Sequence, residues 1–230
     1  MPRDLARPTL PLPSPPPLQA PADFEERLAL LGVSLEKEKI AQLGDYLARL
    51  LAMNEQMSLT SITDPPEAWT RHALDALTLL PHLAELPKGA SLLDVGSGGG
   101  VPGIVIAIAR PDLRITLLDA TEKKVAFLSA VAKVLGLDQV TAIAGRAEKL
   151  ATTPIAGTFD AVTARALGKL QALLPWTVPF VKPGGRLLLI KGERAEEELE
   201  GARRALIRFR CTHDRTALTP TGRVVLLRVR

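Results

Sequence analysis

The 230-residue sequence is poor in the residues that would mark several classes of protein. A single cysteine, Cys211, excludes an internal disulfide, and the three histidines show no spacing typical of metal ligands. Aromatic residues make up only 3% of the chain, which argues against a base-stacking platform for single-stranded nucleic acid. No apolar run approaches the roughly 18 residues that a membrane span requires. These absences predict a cytoplasmic, metal-free protein that does not enter a membrane.

Proline is concentrated at the beginning of the chain, where seven of the nineteen prolines fall within residues 8–21. They interrupt any apolar segment, so no signal peptide is recognisable, and residues 1–22 are predicted to be a disordered proline-rich leader. Over residues 23–82 apolar side chains recur at helical spacing. This stretch predicts a small helical extension packed on the following domain, residues 83–230.

From residue 90 onward, apolar strand-like and helical segments alternate. Strands are predicted at 91–95, 113–118, 139–143, 159–164 and 185–190, and helices at 102–109, 121–135 and 168–181. Because each helical segment separates two strands, the pattern predicts an α/β fold, a parallel Rossmann-like sheet with helices on both faces. Residues 203–210 and 223–229 are predicted to add two strands as a closing hairpin.

A glycine-rich loop follows the first of these strands. Glycines at 96, 98 and 100 place the third glycine one position earlier than in a dinucleotide-binding fingerprint, and Val101 follows it. Asp94 precedes the loop, where a carboxylate would repel a pyrophosphate but would suit a cationic amino group. S-adenosylmethionine carries an ammonium and a sulfonium group and no phosphate. We therefore expect Asp94, Gly96, Gly98 and Val101 to belong to a site for this cofactor.

The loops after the later strands supply further candidate ligand contacts, because ligands of doubly wound sheets lie outside the carboxyl ends of the strands. Asp119 ends the second strand and is placed to accept hydrogen bonds from ribose hydroxyls. Ala147 and Glu148, after the third strand, are expected to contact the edge of the adenine ring, and Val101 is expected to provide an apolar contact behind it. Arg165, after the fourth strand, is expected where the substrate meets the methyl group.

The end of the chain is strongly basic. Residues 201–230 contain eight arginines and one acidic residue, Asp214, whereas the whole chain carries a formal net charge of only +4. Such a local excess of positive charge indicates a polyanionic partner such as RNA, and Arg203, Arg215 and Arg223 are the candidate contacts. A solvent-exposed basic face without a partner is the alternative interpretation.

The loop after the fourth strand lacks the residues that two classes of methylation reaction require. Methylation of pyrimidine C5 needs a cysteine nucleophile, and Cys211 lies far beyond the relevant strands. Methylation of an exocyclic amine typically uses a Pro-Pro-aromatic loop, where this chain has Thr-Ala-Arg-Ala at 163–166. Guanine N7 already has an in-plane lone pair, so its methylation needs placement but no base. His72 is accordingly predicted to be a packed, hydrogen-bonded structural histidine.

Several short motifs occur in order along the chain. They are Ser58-Leu59-Thr60, Arg71-His72-Ala73-Leu74-Asp75, Asp94 to Gly103, Leu117-Leu118-Asp119, Gly145-Arg146-Ala147-Glu148, Thr163-Ala164-Arg165-Ala166, Lys182-Pro183-Gly184-Gly185 and Lys191-Gly192. Together they resemble the bacterial 16S ribosomal RNA guanine-N7 methyltransferases, the glucose-inhibited division protein B family. The resemblance covers about residues 24–229.

The resemblance implies N7 methylation of one guanine in 16S ribosomal RNA. We expect the substrate to be this RNA or the assembled small subunit, and the protein to be a monomer. The resemblance further implies that S-adenosylmethionine is bound at Gly96, Val101, Ala147, Glu148 and Arg165, with Asp119 near the ribose. Two alternatives stay open: a small-molecule methyltransferase of the same fold, and a non-catalytic RNA-binding protein that retains the cofactor pocket.

Overall fold

The computed structural model describes residues 10–230; the prediction for residues 1–9 lies outside this range. Seven strands form one sheet: β1 (Ser91–Val95), β2 (Arg114–Asp119), β3 (Val140–Ala144), β4 (Phe159–Arg165), β5 (Val181–Lys191), β6 (Cys211–Leu218) and β7 (Arg223–Val229). Their order is β3-β2-β1-β4-β5-β7-β6. The first five strands pair in parallel, while β7 runs antiparallel to both β5 and β6. The predicted Rossmann-like sheet is confirmed.

Helices cover both faces of the sheet. They are α1 (Phe24–Leu30), α2 (Lys37–Asn54), α3 (Pro65–Ala68), α4 (Asp75–Leu77), α5 (Leu80–Leu83), α6 (Gly103–Ala109), α7 (Glu122–Val134), α8 (Ala147–Leu150), α9 (Leu170–Thr177), α10 (Ala195–Gly201) and α11 (Arg203–Arg208). A π-helical turn, Trp69–Leu74, joins α3 to α4, and a 3-10 turn, Val178–Phe180, precedes β5.

Two apolar clusters lie on opposite faces of the sheet, because successive side chains of a strand point to opposite sides. In β5, Leu188 and Ile190 belong to the first cluster and Leu187 and Leu189 to the second. Both faces are therefore buried, which explains why the strands read as nearly continuous apolar runs. The helices α1 to α7 contribute to the first cluster, and α8 to α11 contribute to the second.

The helical extension shares the first cluster with the sheet. Phe24 and Leu47 from the extension and Ile104 and Leu117 from the sheet domain are all members of that one cluster. The side chain of Asp64 caps α3, accepting a hydrogen bond from the Glu67 N–H at 2.9 Å. The extension consequently has no core of its own, and α2 lies directly against α6.

Residues 10–22 differ from the predicted disordered leader, because they pack along α2. The Leu18 N–H donates to the Gly44 carbonyl at 3.1 Å, and the Arg49 guanidinium donates to the Pro13 carbonyl at 2.9 Å. A Cβ at residue 44 would lie 2.3 Å from the Leu18 carbonyl oxygen, so glycine permits the close approach. The leucines between the prolines supply the apolar contacts that the sequence interpretation discounted.

The prediction of a strand at residues 203–210 is wrong. The segment forms α11, and the edge strand β6 begins only at Cys211. Ala202 and Leu206, one helical turn apart, both pack into the second apolar cluster, and this tertiary contact overrides the local strand propensity. The other predicted strand, at 223–229, is confirmed as β7, and the closing hairpin is formed by β6 and β7.

Between residues 10 and 230, no helix combines the length and the apolar character needed to cross a membrane. Within the same range, no cluster of three or more His, Cys, Asp or Glu side chains is arranged to hold a metal ion.

Candidate active site

Two adjoining cavities lie at the carboxyl ends of the central strands. The larger has a volume of about 300 Å³ and lies between the glycine loop after β1 and side chains of the helical extension. The smaller, of about 150 Å³, is formed by the loops after β2 and β3. Gly96, Asp119 and Leu167 line both cavities. An elongated ligand could therefore occupy both, with its middle beside these three residues.

The glycine loop turns tightly beneath Leu167. Gly96 has a φ of +69°, which is unfavourable for residues with a Cβ. A Cβ at this position would also lie 2.4 Å from a methyl carbon of Leu167. A side chain at residue 96 would consequently intrude at the junction of the two cavities.

The backbone N–H groups of this loop are largely engaged within the protein. Those of Gly96 and Ser97 both donate to the Leu118 carbonyl, at 2.7 and 3.0 Å, and that of Gly98 donates to the Asp119 carboxylate at 2.9 Å. A loop that binds phosphate needs such groups free to reach the anion. The structure therefore favours a ligand without phosphate, in agreement with the interpretation of the sequence.

Asp119 lies at the junction of the cavities, at the end of β2. Its two carboxylate oxygens accept from the N–H groups of Gly98 and Thr121, each at 2.9 Å. Each oxygen has a further lone pair, so the carboxylate can still accept two hydrogen bonds. This arrangement suits a pair of neighbouring hydroxyl groups such as those of a ribose.

Asp94 does not reach either cavity, contrary to the prediction that it contacts an ammonium group. Its side chain is buried and accepts hydrogen bonds from the Thr163 hydroxyl at 2.9 Å and the Gly103 N–H at 3.2 Å. Burial raises the pKa of Asp94 to about 6, although these hydrogen bonds act to lower it. Asp94 therefore joins β1, β4 and the start of α6 and shapes the loop from within.

The residues expected around an adenine are only partly brought together. Ala147 and Glu148 line the smaller cavity, whereas Val101 lines the larger one. Leu118 and Trp176 of α9 are further apolar side chains that line the smaller cavity. The sequence interpretation missed Trp176, because only the packing of α9 beside α8 brings it to this edge.

Arg165 lines the larger cavity together with His72. Its guanidinium donates to the Arg71 carbonyl and to His72 Nδ1, the latter at 3.0 Å. Burial, followed by the positive charge of Arg165, lowers the pKa of His72 to about 3, while the Arg71 carbonyl acts in the opposite direction. His72 is thus a neutral, hydrogen-bonded, buried side chain, as predicted, and it orients Arg165.

The helical extension supplies one wall of the larger cavity, which the sequence interpretation did not foresee. Leu50 of α2, the Leu59–Ser61 segment and His72 all line it, and Lys124 of α7 is a further unforeseen lining residue. Asn54 Oδ1 holds the segment by accepting from the N–H groups of residues 59 and 60, at 2.8 and 2.9 Å. The motif around Thr60 was the available signal, but its position at the cavity depends on α2.

The three arginines predicted to bind RNA are not neighbours. Arg223 pairs with Lys191 at the carboxyl end of β5, the edge of the sheet where the cavities open. Arg215 lies in the middle of the edge strand β6. Arg203 begins α11 and forms an ion pair with Glu200 at 2.6 Å. Only Arg223 is therefore placed at the cavity edge.

The loop before Arg223 is tied to the helical extension. The Asp75 carboxylate accepts from the Thr221 N–H at 3.1 Å and also from the Thr221 hydroxyl. Burial lowers the pKa of the Arg165 guanidinium, and the charge of Asp75 acts in the opposite direction. The contact between Asp75 and Thr221 ties the turn between β6 and β7 to the helical extension.

Comparison with known structures defines the fold. A SAM dependent methyltransferase from Aquifex aeolicus superimposes with a TM-score of 0.56 over 72% of this chain and 94% of that one, at 17% identity. P. horikoshii TYW2, solved in complex with MeSAdo, gives a TM-score of 0.51 over 64% of this chain and 60% of that one, at 14% identity. The fold is that of the S-adenosylmethionine-dependent methyltransferases.

Comparison of sequences defines the family. The family model described as rRNA small subunit methyltransferase G matches residues 39–219. The protein of that name from Sorangium cellulosum is 60% identical over 228 residues, 99% of this chain and 95% of its own. The one from Moorella thermoacetica is 39% identical over 176 residues, 76% and 73% of the two chains. This chain belongs to the rRNA small subunit methyltransferase G family.

Proposed function

We propose that this protein transfers a methyl group from S-adenosylmethionine to N7 of one guanine in 16S ribosomal RNA. The observation that carries the proposal is the pair of cavities meeting at Asp119, with Arg165 in the larger one. Family membership supports ribosomal RNA as the substrate, since the relatives are named for it.

The residues present fit S-adenosylmethionine. Asp119 offers its free lone pairs to the ribose, Ala147 and Glu148 lie where the adenine would be held, and Gly96 leaves room between the cavities. The engaged N–H groups of the loop match a cofactor without phosphate. When bound, this cofactor supplies a methyl group activated by an adjacent sulfonium.

The larger cavity is suited to a nucleophile that needs no deprotonation. The titratable side chains in its described lining are His72, Asp119, Lys124 and Arg165. His72 Nδ1 is occupied by Arg165 and its pKa is about 3, while Asp119 accepts from two backbone N–H groups. Guanine N7 attacks through an in-plane lone pair, so placement of the ring against the methyl group is sufficient.

A covalent mechanism through cysteine is not supported by the geometry. Cys211 pairs with Val229 at the end of β6 that lies away from the cavities, and it is buried. Burial raises the pKa of its thiol to about 11, which keeps it protonated. The activation of a pyrimidine ring by a thiolate is therefore disfavoured.

The RNA is proposed to approach over the turn between β6 and β7. Arg223 is at that edge, and Arg215 extends the positive charge along β6. Phosphate groups would be held by these side chains while Arg165 positions the base or the cofactor inside the cavity. We propose that the protein acts in this way as a cytoplasmic monomer on the small subunit or its RNA.

The test is to map N7-methylguanosine in ribosomal RNA from a strain that lacks this protein and from the same strain with the gene restored. We expect one modified position in 16S ribosomal RNA to disappear and to return on complementation. Purified protein with radiolabelled cofactor should then methylate that position. An unchanged modification pattern would refute the proposal.

A further inference from the structure

The larger cavity contains a hydroxyl group whose hydrogen-bonding role is set by its neighbours. Thr60 lines the cavity, and its backbone N–H is held by Asn54. The Thr60 Oγ1 atom lies 3.0 Å from the Ile62 nitrogen, whose N–H donates to it. It also lies 3.0 Å from His72 Nε2. Which of the two partners donates in the second contact depends on the tautomer of His72.

The contact with Arg165 decides the tautomer. The Arg165 guanidinium nitrogen lies 3.0 Å from His72 Nδ1, and a guanidinium can only donate. Nδ1 must therefore carry a lone pair. His72 is neutral, because its pKa is about 3, so its one ring proton is on Nε2. The imidazole consequently donates to Thr60 and does not accept from it.

The Thr60 hydroxyl can still donate its own proton in a hydrogen bond. A hydroxyl oxygen has two lone pairs, and these accept from the Ile62 N–H and from the His72 Nε2–H. Its own proton finds no acceptor among residues 10–230 and is available to whatever occupies the cavity. Thr60 therefore acts toward a ligand only as a hydrogen-bond donor.

We infer that the Thr60 hydroxyl donates a hydrogen bond to O6 of the target guanine and thereby selects guanine over adenine. This inference rests on the proposed N7 methylation. Beside N7, guanine presents the acceptor O6, whereas adenine presents the donor N6 amino group. Two donors facing each other inside a cavity leave both unsatisfied, which disfavours adenine.

Thr60 lies in the cavity that the base would share with the methionine part of the cofactor, and the cofactor-affinity arm of the experiment below distinguishes the two. Thr60 lines only the larger cavity, with His72 and Arg165, whereas Ala147 and Glu148 border the smaller one. The Thr60 hydroxyl is linked to Arg165 through the imidazole of His72, and Arg165 is the residue expected where the substrate meets the methyl group. O6 and N7 are adjacent on the same edge of guanine, so the donor and the transferred methyl group meet that edge together.

The experiment combines a change in the protein with a change in the base. Thr60→Val removes the hydroxyl, Thr60→Ser retains it, and Thr63→Val removes an exposed hydroxyl nearby as the matched control. The substrate is 16S ribosomal RNA, in reconstituted subunits if needed, with either guanine or 2-aminopurine at the mapped position. 2-Aminopurine retains N7 but has no O6.

The native protein and the Thr60→Ser and Thr63→Val variants are expected to lose about tenfold in kcat/KM when O6 is absent. Thr60→Val is expected to be about tenfold slower on guanine and to lose nothing further on 2-aminopurine. Any intrinsic difference in N7 reactivity cancels, because the ratio of rates on the two bases is compared between proteins. Affinity for S-adenosylmethionine should be equal in all four proteins.

An equal loss on 2-aminopurine in the native protein and in Thr60→Val would overturn the inference, as would a loss of cofactor affinity in Thr60→Val. If Thr60→Val does not fold, Thr60→Ala, which also lacks the hydroxyl, replaces it in the same comparison of ratios. A native protein that methylates no N7 in ribosomal RNA would instead refute the proposed function.

Discussion

The hydroxyl of Tyr46 donates a hydrogen bond to the carbonyl oxygen of Gly99 at 2.8 Å, and both residues are buried. Burial raises the pKa of Tyr46 above its ordinary value, so the hydroxyl keeps its proton. The contact joins α2 of the helical extension to the glycine loop of the sheet domain. The extension thus helps to hold the loop in the conformation that shapes the larger cavity.

Tyr46→Phe is expected to weaken this junction. The Gly99 carbonyl would stay buried without its partner, and the free energy of unfolding should fall by about 1–3 kcal/mol. Because the loop borders the cavity, affinity for S-adenosylmethionine should fall several-fold. Urea unfolding and calorimetric titration measure the two effects. Unchanged stability and unchanged affinity together would show that the extension does not support the loop.

Gly96→Asp is expected to abolish cofactor binding, because a side chain there would enter the junction beneath Leu167. Gly136→Asp is the matched control. Gly136 has a φ of +65°, close to the +69° of Gly96, but a Cβ there would meet nothing within 4 Å. Both variants bear the backbone strain of a positive φ, so both should lose about 1 kcal/mol of stability.

Calorimetric titration with S-adenosylmethionine separates the two glycine variants. Binding should be undetectable in Gly96→Asp and native-like in Gly136→Asp. Equal affinity of the two proteins would be incompatible with a ligand site at the junction of the cavities.

Asp94→Asn is expected to change how stability depends on pH. The pKa of Asp94 rises from 3.8 in the unfolded chain to about 6 in the folded protein. Between these values the unfolded state binds fewer protons, so raising the pH lowers the free energy of unfolding. The complete penalty, present above about pH 7, is at most about 3 kcal/mol. Asparagine does not titrate and should remove this dependence.

The measurement for Asp94 is the difference in unfolding free energy between the variant and the native protein at several pH values. The difference should move in favour of Asp94→Asn as the pH rises from 4 to about 7 and stay constant above that. His72, with its lowered pKa, destabilises both proteins on acidification below about 6.5 and cancels in the difference. A difference independent of pH would contradict the assignment.

Charge reversal at the three arginines should affect RNA binding unequally. Arg223→Glu, at the cavity edge, is expected to weaken RNA binding most, Arg215→Glu less, and Arg203→Glu least, because Arg203 is already paired with Glu200. Each lost phosphate contact should reduce the slope of log affinity against log salt by about 0.9. Cofactor affinity should be unaffected in all three variants. Equal effects at the three positions would indicate a diffuse basic surface instead.

Local sequence patterns were sufficient to predict the sheet and the position of the glycine loop. The apolar segment that ends at Asp94 and the glycines after it predicted a strand and a loop in their observed places. The role of Asp119, at the end of β2, as a ribose acceptor stays a prediction. These features depend on neighbouring residues and on the rule that parallel strands carry their ligands at their carboxyl ends. Arg165 followed from the same rule.

Local patterns failed where a distant contact decided the structure. Residues 203–208 are helical because Leu206 packs against the sheet in the second apolar cluster. Residues 10–22 pack along α2, where the Leu18 N–H donates to the Gly44 carbonyl. Asp94 points into the interior because Thr163 and the Gly103 N–H bind it there. None of these partners is close in sequence, apart from Gly103, so no local periodicity could show them.

The sequence by itself determined the α/β class, the glycine loop and the family, because each depends on a short motif or on the order of strands. The roles of Asp119 and Arg165 toward ligands stay predictions. Only the tertiary structure decided that the helical extension forms a wall of the larger cavity and that Trp176 borders the smaller one. It also decided that Thr60 is restricted to donating. That restriction arises from two N–H donors on one oxygen, and the second is fixed by Arg165, 93 residues from His72 in the chain.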